Sequence, residues 1–214
     1  MTRIILARHG ETNWNREGRY QGQLDTELSP LGWQQAERLA EALAKLPITA
    51  VYSSPLSRAY ETARKAAEKH QLPVEIVEGL TEIHHGCWQG LYAHEVKEQY
   101  GVELEIWQSA PHQITMPGGG ECLKQVQDRA VAALEMIAKR HPGETVLVLS
   151  HDATIRAFFC YALGMDLANF WLFRQDNTCI NVVEYLPDGR WRLSKLNDTC
   201  HLGSLIWDVD QKAL

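Results

Sequence analysis

Arg8-His9-Gly10 closes the apolar run Ile4-Ile5-Leu6-Ala7. Such a run, cut off at a glycine, reads as a short buried strand followed by a sharp turn. The turn presents a guanidinium and an imidazole together. Two neighbouring cations repel unless an anion lies between them. The planar fork of Arg suits a phosphate, and His can attack phosphorus or exchange protons near neutral pH. Three further groups stand in comparable places. Arg58 follows the strand-like Ala50-Val51-Tyr52, Glu82 follows Val74 to Val77, and His151 follows Thr145 to Leu149. In parallel sheets the ligand crevice lies beyond the carboxyl ends of the strands. Residues far apart in the chain are therefore expected to meet at one edge.

The elements that must carry these groups alternate between strand and helix. Ser29-Pro30 opens a helix, with Ser as cap and Pro in the first turn, and Leu39, Leu43 and Leu46 share a stripe. A second helix runs from Ser57 to about His70. A long one runs from Glu121 to about Arg140, burying Leu123, Val126, Ala130, Leu134 and Ile137, and another spans Ala153 to Leu163. Cys179 to Tyr185 and Arg190 to Leu196 flank Pro187-Asp188-Gly189 and read as a hairpin. This order predicts an α/β fold: a three-layer αβα sandwich whose sheet is mostly parallel, with a C-terminal antiparallel hairpin. Residues 91–120 lack a strong strand and read as a small helical insertion over the catalytic face. The whole chain, 1–214, reads as one domain. The loop from Thr12 to Asp25 carries few apolar anchors and is expected to adapt to substrate.

Arg8-His9-Gly10-Glu11-Thr12 with Asn15 resembles the entry motif of the histidine phosphatase superfamily, the phosphoglycerate-mutase-like proteins. Further motifs follow in that family's order: Gln21-Gly22 with Asp25 and Leu28-Ser29, Ser53 to Arg58, Glu82-Ile83 with Gly86 and Trp88-Gln89-Gly90, and Ser150-His151. The pattern is most similar to the metal-independent phosphoserine phosphatases and broad-specificity phosphatases, on Glu82 to Trp88, Phe170-Trp171 with Asp176-Asn177, and Asn197 to Gly203. The resemblance implies a metal-independent phosphomonoesterase with no cofactor. It makes His9 the nucleophile that forms phosphohistidine, and Glu82 the proton donor. Arg8, Arg58 and His151 become the groups that hold the phosphoryl oxygens. Asn15, Gln21 and Gly22 complete the phosphate cradle, and His85 forms a pocket wall. Many relatives have Gly after the second catalytic His, whereas this chain has Asp152. Asp152 is expected to narrow the pocket or attract a substrate ammonium, with His85 holding the carboxylate as imidazolium. L-phosphoserine or a similar small phosphometabolite is the expected substrate. An α-ribazole-5'-phosphate phosphatase, a phosphoglycerate mutase and an inactive binding module are the alternatives. The length argues against the mutase, which usually carries a longer shielding insertion, and the intact set of charged residues opposes the inactive module.

Composition narrows the partners. The 214 residues carry a net charge of −6, which lacks the basic footprint of a nucleic-acid binder. A local cluster of Arg and His can still dominate one pocket of an acidic protein. No apolar run approaches the ~20 residues of a bilayer span. Met1-Thr2-Arg3 leads straight into the first strand, and the five cysteines lack a Cys-x-x-Cys pair. The reading is a cytoplasmic protein with reduced thiols, acting on a small phosphorylated metabolite alone or as a homodimer. His84 and His85 are adjacent and so point opposite ways in extended chain, with no third His at helical spacing. No metal site is read there.

Overall fold

The computed structural model describes residues 1–206, and its framework is a six-stranded sheet. The strands are β1 (Thr2–Arg8), β2 (Ile48–Ser53), β3 (Val74–Ile76), β4 (Thr145–Ser150), β5 (Ile180–Tyr185) and β6 (Trp191–Asp198). Their order across the sheet is β3-β2-β4-β1-β5-β6. The first four run parallel, while β5 pairs antiparallel with β1 and with β6. The expected mostly parallel sheet with a C-terminal hairpin is therefore the observed one.

Both faces of the sheet are covered, which explains why its central strands are apolar throughout. Side chains alternate along β1. Ile4 and Leu6 pack against α6 (Leu123–Arg140) and α7 (Asp152–Ala162), while Ile5 and Ala7 pack against α2 (Pro30–Leu43) and α3 (Ser57–His70). The five positions read as the buried stripe of α6 are all buried. Ser29 caps α2 as its sequence suggests, its Oγ accepting from Gly32 N at 3.0 Å. Helix α3 is capped from elsewhere in the chain. The Asp25 carboxylate accepts from Ser57 N at 2.8 Å and Ser57 Oγ at 2.6 Å. That contact fixes the first turn of α3, where Arg58 sits.

Residues 91–120 form α4 (Ala93–Gln99), α5 (Gly101–Ser109) and a short 3-10 turn, Pro111–Gln113. They close a second apolar cluster in which Val96, Leu104 and Trp107 meet Tyr20, Ile83, Trp88 and Phe170. The loop after β1 is better anchored than its composition suggests. It contains α1 (Asn13–Glu17), whose Thr12 and Asn15 form a reciprocal capping box. It then buries Tyr20 and stacks Arg19 on Trp14 and Tyr92. The adaptable loop expected there is a capped, stapled segment. Among the described residues no helix is long and apolar enough to cross a membrane.

Candidate active site

At the carboxyl edge of the sheet, Arg8, His9, Asn15, Gln21, Gly22, Arg58, Glu82 and His85 line one narrow pocket. Strand β1 delivers the first two. The turn after it depends on Gly10, though not for an unusual φ. A Cβ there would lie 2.6 Å from the Gly32 carbonyl oxygen, so the missing side chain lets α2 press against the strand end. Gly22 does need its freedom, with φ +52° and a Cβ position 2.3 Å from Gln89 Oε1.

His9 is held in one tautomer. Its Nδ1 lies 2.7 Å from the Gly10 carbonyl oxygen, which can only accept, so Nδ1 carries the proton and Nε2 keeps its lone pair. The His9 carbonyl is itself held by Asn177 Nδ2 at 3.0 Å and Thr178 N at 3.2 Å. Burial is the largest cause keeping the ring well below the ordinary His range, followed by the charges of Arg58 and Arg8. It is neutral near pH 7, as a nucleophile must be. The His151 ring centroid is 5.0 Å from that of His9. Its Nε2 lies 2.7 Å from Ser54 Oγ, while Nδ1 has no hydrogen-bond partner. Burial, then Arg58, keeps this ring neutral too.

Both arginines are fully enclosed and are held by main-chain carbonyls. Arg58 donates to Gly22 O at 2.7 Å and Leu24 O at 3.0 Å, and Arg8 donates to Gln175 O at 2.6 Å. Carbonyl partners orient the Arg58 guanidinium without neutralising it, while Arg8 also has the Asp152 carboxylate 3.7 Å from its Nη1. Glu82 sits at the N-terminus of α7, where Ala153 N and Thr154 N approach its carboxylate at 3.3 Å and Ile83 N at 2.9 Å. Burial, followed by the charge of Asp152, pushes its carboxyl up from the ordinary value despite those donors. A carboxyl so raised is suited to keep a proton for a leaving group.

Two site expectations change. Asp152 does not line the pocket. It is 1 % exposed and turned inward, with Oδ2 2.8 Å from Arg156 Nε and Oδ1 3.7 Å from Arg8 Nη1. A buried carboxylate goes to the nearest buried cation, so it neither narrows the pocket nor faces a substrate ammonium. His85 does line the pocket, but not as imidazolium. Its ring is 5.2 Å from Tyr20 and 6.0 Å from Trp107, and burial pushes it down to about 3. It stands there as a neutral donor or acceptor, with Nδ1 unpartnered. Gln21 and Asn15 contribute mainly by shaping the loop. Gln21 Oε1 accepts from Thr12 and Thr26 hydroxyls, and Asn15 Oδ1 caps Thr12 N. His201 lies outside the pocket lining, and His84 contacts Gly86 N and Gln89.

The family model for the histidine phosphatase superfamily (branch 1) matches residues 4–199. The chain belongs to the histidine phosphatase superfamily. It is 43% identical to phosphoserine phosphatase 1 of Hydrogenobacter thermophilus over 95% of each chain. It is 40% identical to the metal-independent phosphoserine phosphatase of Arabidopsis thaliana, covering 96% of this chain and 85% of that one. Among solved structures it resembles a mutant phosphoserine phosphatase of Entamoeba histolytica in complex with phosphoserine. That match has a TM-score of 0.81 at 32% identity, over 94% of this chain and 100% of the other. As a histidine phosphatase it is a phosphoric monoester hydrolase, and the family chemistry passes through phosphohistidine.

Several supporting residues of this histidine phosphatase were not singled out from sequence. Gln175 and Thr178 come from the β5 approach, and Arg129 with Glu121 from the far side of Glu82. Gln175, Thr178 and Arg129 act through main-chain groups, which leave no residue-type signature, and Glu121 acts through Arg129 and His84 N. Ser54 stood in a quoted motif, but only its 2.7 Å contact to His151 gives it a task.

Proposed function

We propose that this histidine phosphatase hydrolyses small phosphomonoesters, L-phosphoserine foremost, through a phosphoryl group carried transiently on His9 Nε2. The observation that carries the reading is the fixed tautomer of His9 in a pocket that also holds two carbonyl-bound arginines. In the first step Nε2 attacks phosphorus while Arg8, Arg58 and the free Nδ1 of His151 hold the phosphoryl oxygens. Glu82 gives its proton to the departing serine oxygen. In the second step Glu82 accepts a proton from water as that water attacks the phosphohistidine, and the His9–phosphorus bond breaks. Asp152 serves this cycle from behind, partnering Arg8 and keeping Glu82 proton-rich.

The named activities of the relatives support phosphoserine as substrate. So does the pocket, which is narrow and rimmed by polar groups. His85 would meet the serine carboxylate with a hydrogen bond from neutral imidazole. We place the enzyme in the cytoplasm, where its five free thiols stay reduced. The test is kcat/KM across phosphoserine, 3-phosphoglycerate and α-ribazole phosphate. Phosphoserine should lead. A tenfold preference for α-ribazole phosphate, or isomerisation of 3-phosphoglycerate in place of hydrolysis, would overturn the substrate assignment.

A further inference from the structure

Glu82 lies on a stretch with almost no secondary structure of its own. A 3-10 turn, Glu78–Leu80, gives way to an extended run through His84. Its carbonyls converge on one side chain from α6. Arg129 Nη1 donates to Gly79 O at 3.1 Å and to Thr81 O, and Nη2 donates to Glu82 O at 3.0 Å. The remaining edge of the same guanidinium is engaged by Glu121, with Nε to Oε1 at 2.8 Å and Nη2 to Oε2 at 3.0 Å. Glu121 also returns to the segment. Its Oε2 accepts from His84 N at 2.9 Å, and its own N donates to His84 O at 2.9 Å. Gln23, next to Gly22 in the phosphate loop, donates Nε2 to Glu82 O at 3.0 Å. Neither Arg129 nor Glu121 lines the pocket.

We infer that Arg129 and Glu121 are positioning residues that fix where the Glu82 carboxyl stands relative to the phosphoryl group and its leaving oxygen. The inference rests on Glu82 being the proton donor. Three carbonyls and a bidentate carboxylate use the whole planar fork of a guanidinium. Lysine keeps the charge but cannot span those acceptors. A carboxyl carried on a short unsupported segment would shift with its backbone. Small misplacements of a catalytic group cost large factors in rate, about a hundredfold for a shift of ~1 Å. Gln23 ties the same carbonyl to the phosphate loop, so donor and phosphate cradle are held in one frame.

Leaving-group dependence separates positioning from mere support. Serine leaves as an alkoxide and needs the proton, whereas nitrophenolate leaves without one. The experiment measures kcat/KM, which reports the leaving-group step and not the shared hydrolysis of phosphohistidine, on L-phosphoserine and on para-nitrophenyl phosphate for wild type, Arg129→Lys, Glu121→Gln, Glu82→Gln and Arg129→Lys/Glu82→Gln. Arg129→Lys should lower kcat/KM on phosphoserine about tenfold or more and on the nitrophenyl ester less than about threefold. Added to Glu82→Gln it should cost little further, because the two act as a unit. Equal losses on both esters for Arg129→Lys and Glu121→Gln, beside a selective loss for Glu82→Gln, would overturn the positioning role alone. A Glu82→Gln variant equally slow on both esters would remove the proton-donor reading and this inference with it. Failure of both Arg129→Lys and Glu121→Gln to fold would assign the pair to stability and overturn the inference.

Discussion

Three buried imidazoles make the folded protein sensitive to mild acid, and the size of the effect can be worked out. His9, His85 and His151 are all held below the ordinary value of 6.5, with burial the leading cause in each. The folded state resists protonation while the unfolded chain accepts it, so their contribution is complete above 6.5 and is lost as pH falls below it. From about pH 6.5 to about pH 5.5, each imidazole that stays neutral when folded removes about 1 kcal/mol, or about 3 kcal/mol for the three. Glu82 works the other way. Its raised carboxyl binds a proton more readily when folded, which returns no more than about 1 kcal/mol over the same interval. The paired carboxylates Glu121, Glu184 and Asp198 are held below their ordinary values, so their contributions fade only below about pH 4.5 and stay level here. The net expectation is a loss of about 2 kcal/mol, a large share of the ~5–15 kcal/mol that stabilises a typical domain. Urea unfolding at the two pH values measures it. The buffers must lack phosphate, since a bound oxyanion would stabilise the folded state by mass action. His85→Asn should flatten the dependence by about 1 kcal/mol. A stability that is unchanged or rises on acidification would refute the electrostatic account of the pocket.

Other outcomes follow from individual contacts. Asp152→Asn removes the second cause raising the Glu82 carboxyl, so the alkaline limb of kcat on phosphoserine should move to lower pH; a limb that stays or moves up would contradict it. Gly10→Ala places a methyl 2.6 Å from the Gly32 carbonyl oxygen and should cost about 1–3 kcal/mol in urea unfolding; wild-type stability would show that α2 can shift freely. Activity should survive EDTA, because the two guanidinium groups already supply positive charge and the neutral imidazoles hydrogen bonds for phosphoryl transfer. Reversible loss restored by a divalent ion would count against that.

The sequence was most informative where a side chain acts by its type. Arg8, His9, Arg58, Glu82 and His85 reach one pocket, and the mostly parallel sheet that places them was legible from the alternation of apolar runs with capped helices. It was least informative where partners decide. Asp152 looked like a pocket residue because of its place after His151, but Arg156 one helical turn on and Arg8 from β1 hold it inside. His85 looked chargeable because sequence does not display Tyr20, Trp88 and Trp107 around it. The loop after β1 looked loose because its anchors are a capping box and a cation on two rings rather than aliphatic side chains. Arg129 was invisible because it binds carbonyls, and every residue has one.

The central claim is that phosphoryl transfer passes through His9 Nε2, the one ring nitrogen of that residue left with its lone pair by the Gly10 carbonyl. The direct measurement is intact-protein and peptide mass spectrometry after mixing with phosphoserine and quenching in alkali, where phosphohistidine persists. Wild type should gain one phosphoryl group, mapped to the peptide containing His9. His9→Ala should gain none, turn over no substrate and still unfold cooperatively. A phosphoryl group on any other residue, or His9→Ala activity within tenfold of wild type, would contradict the account.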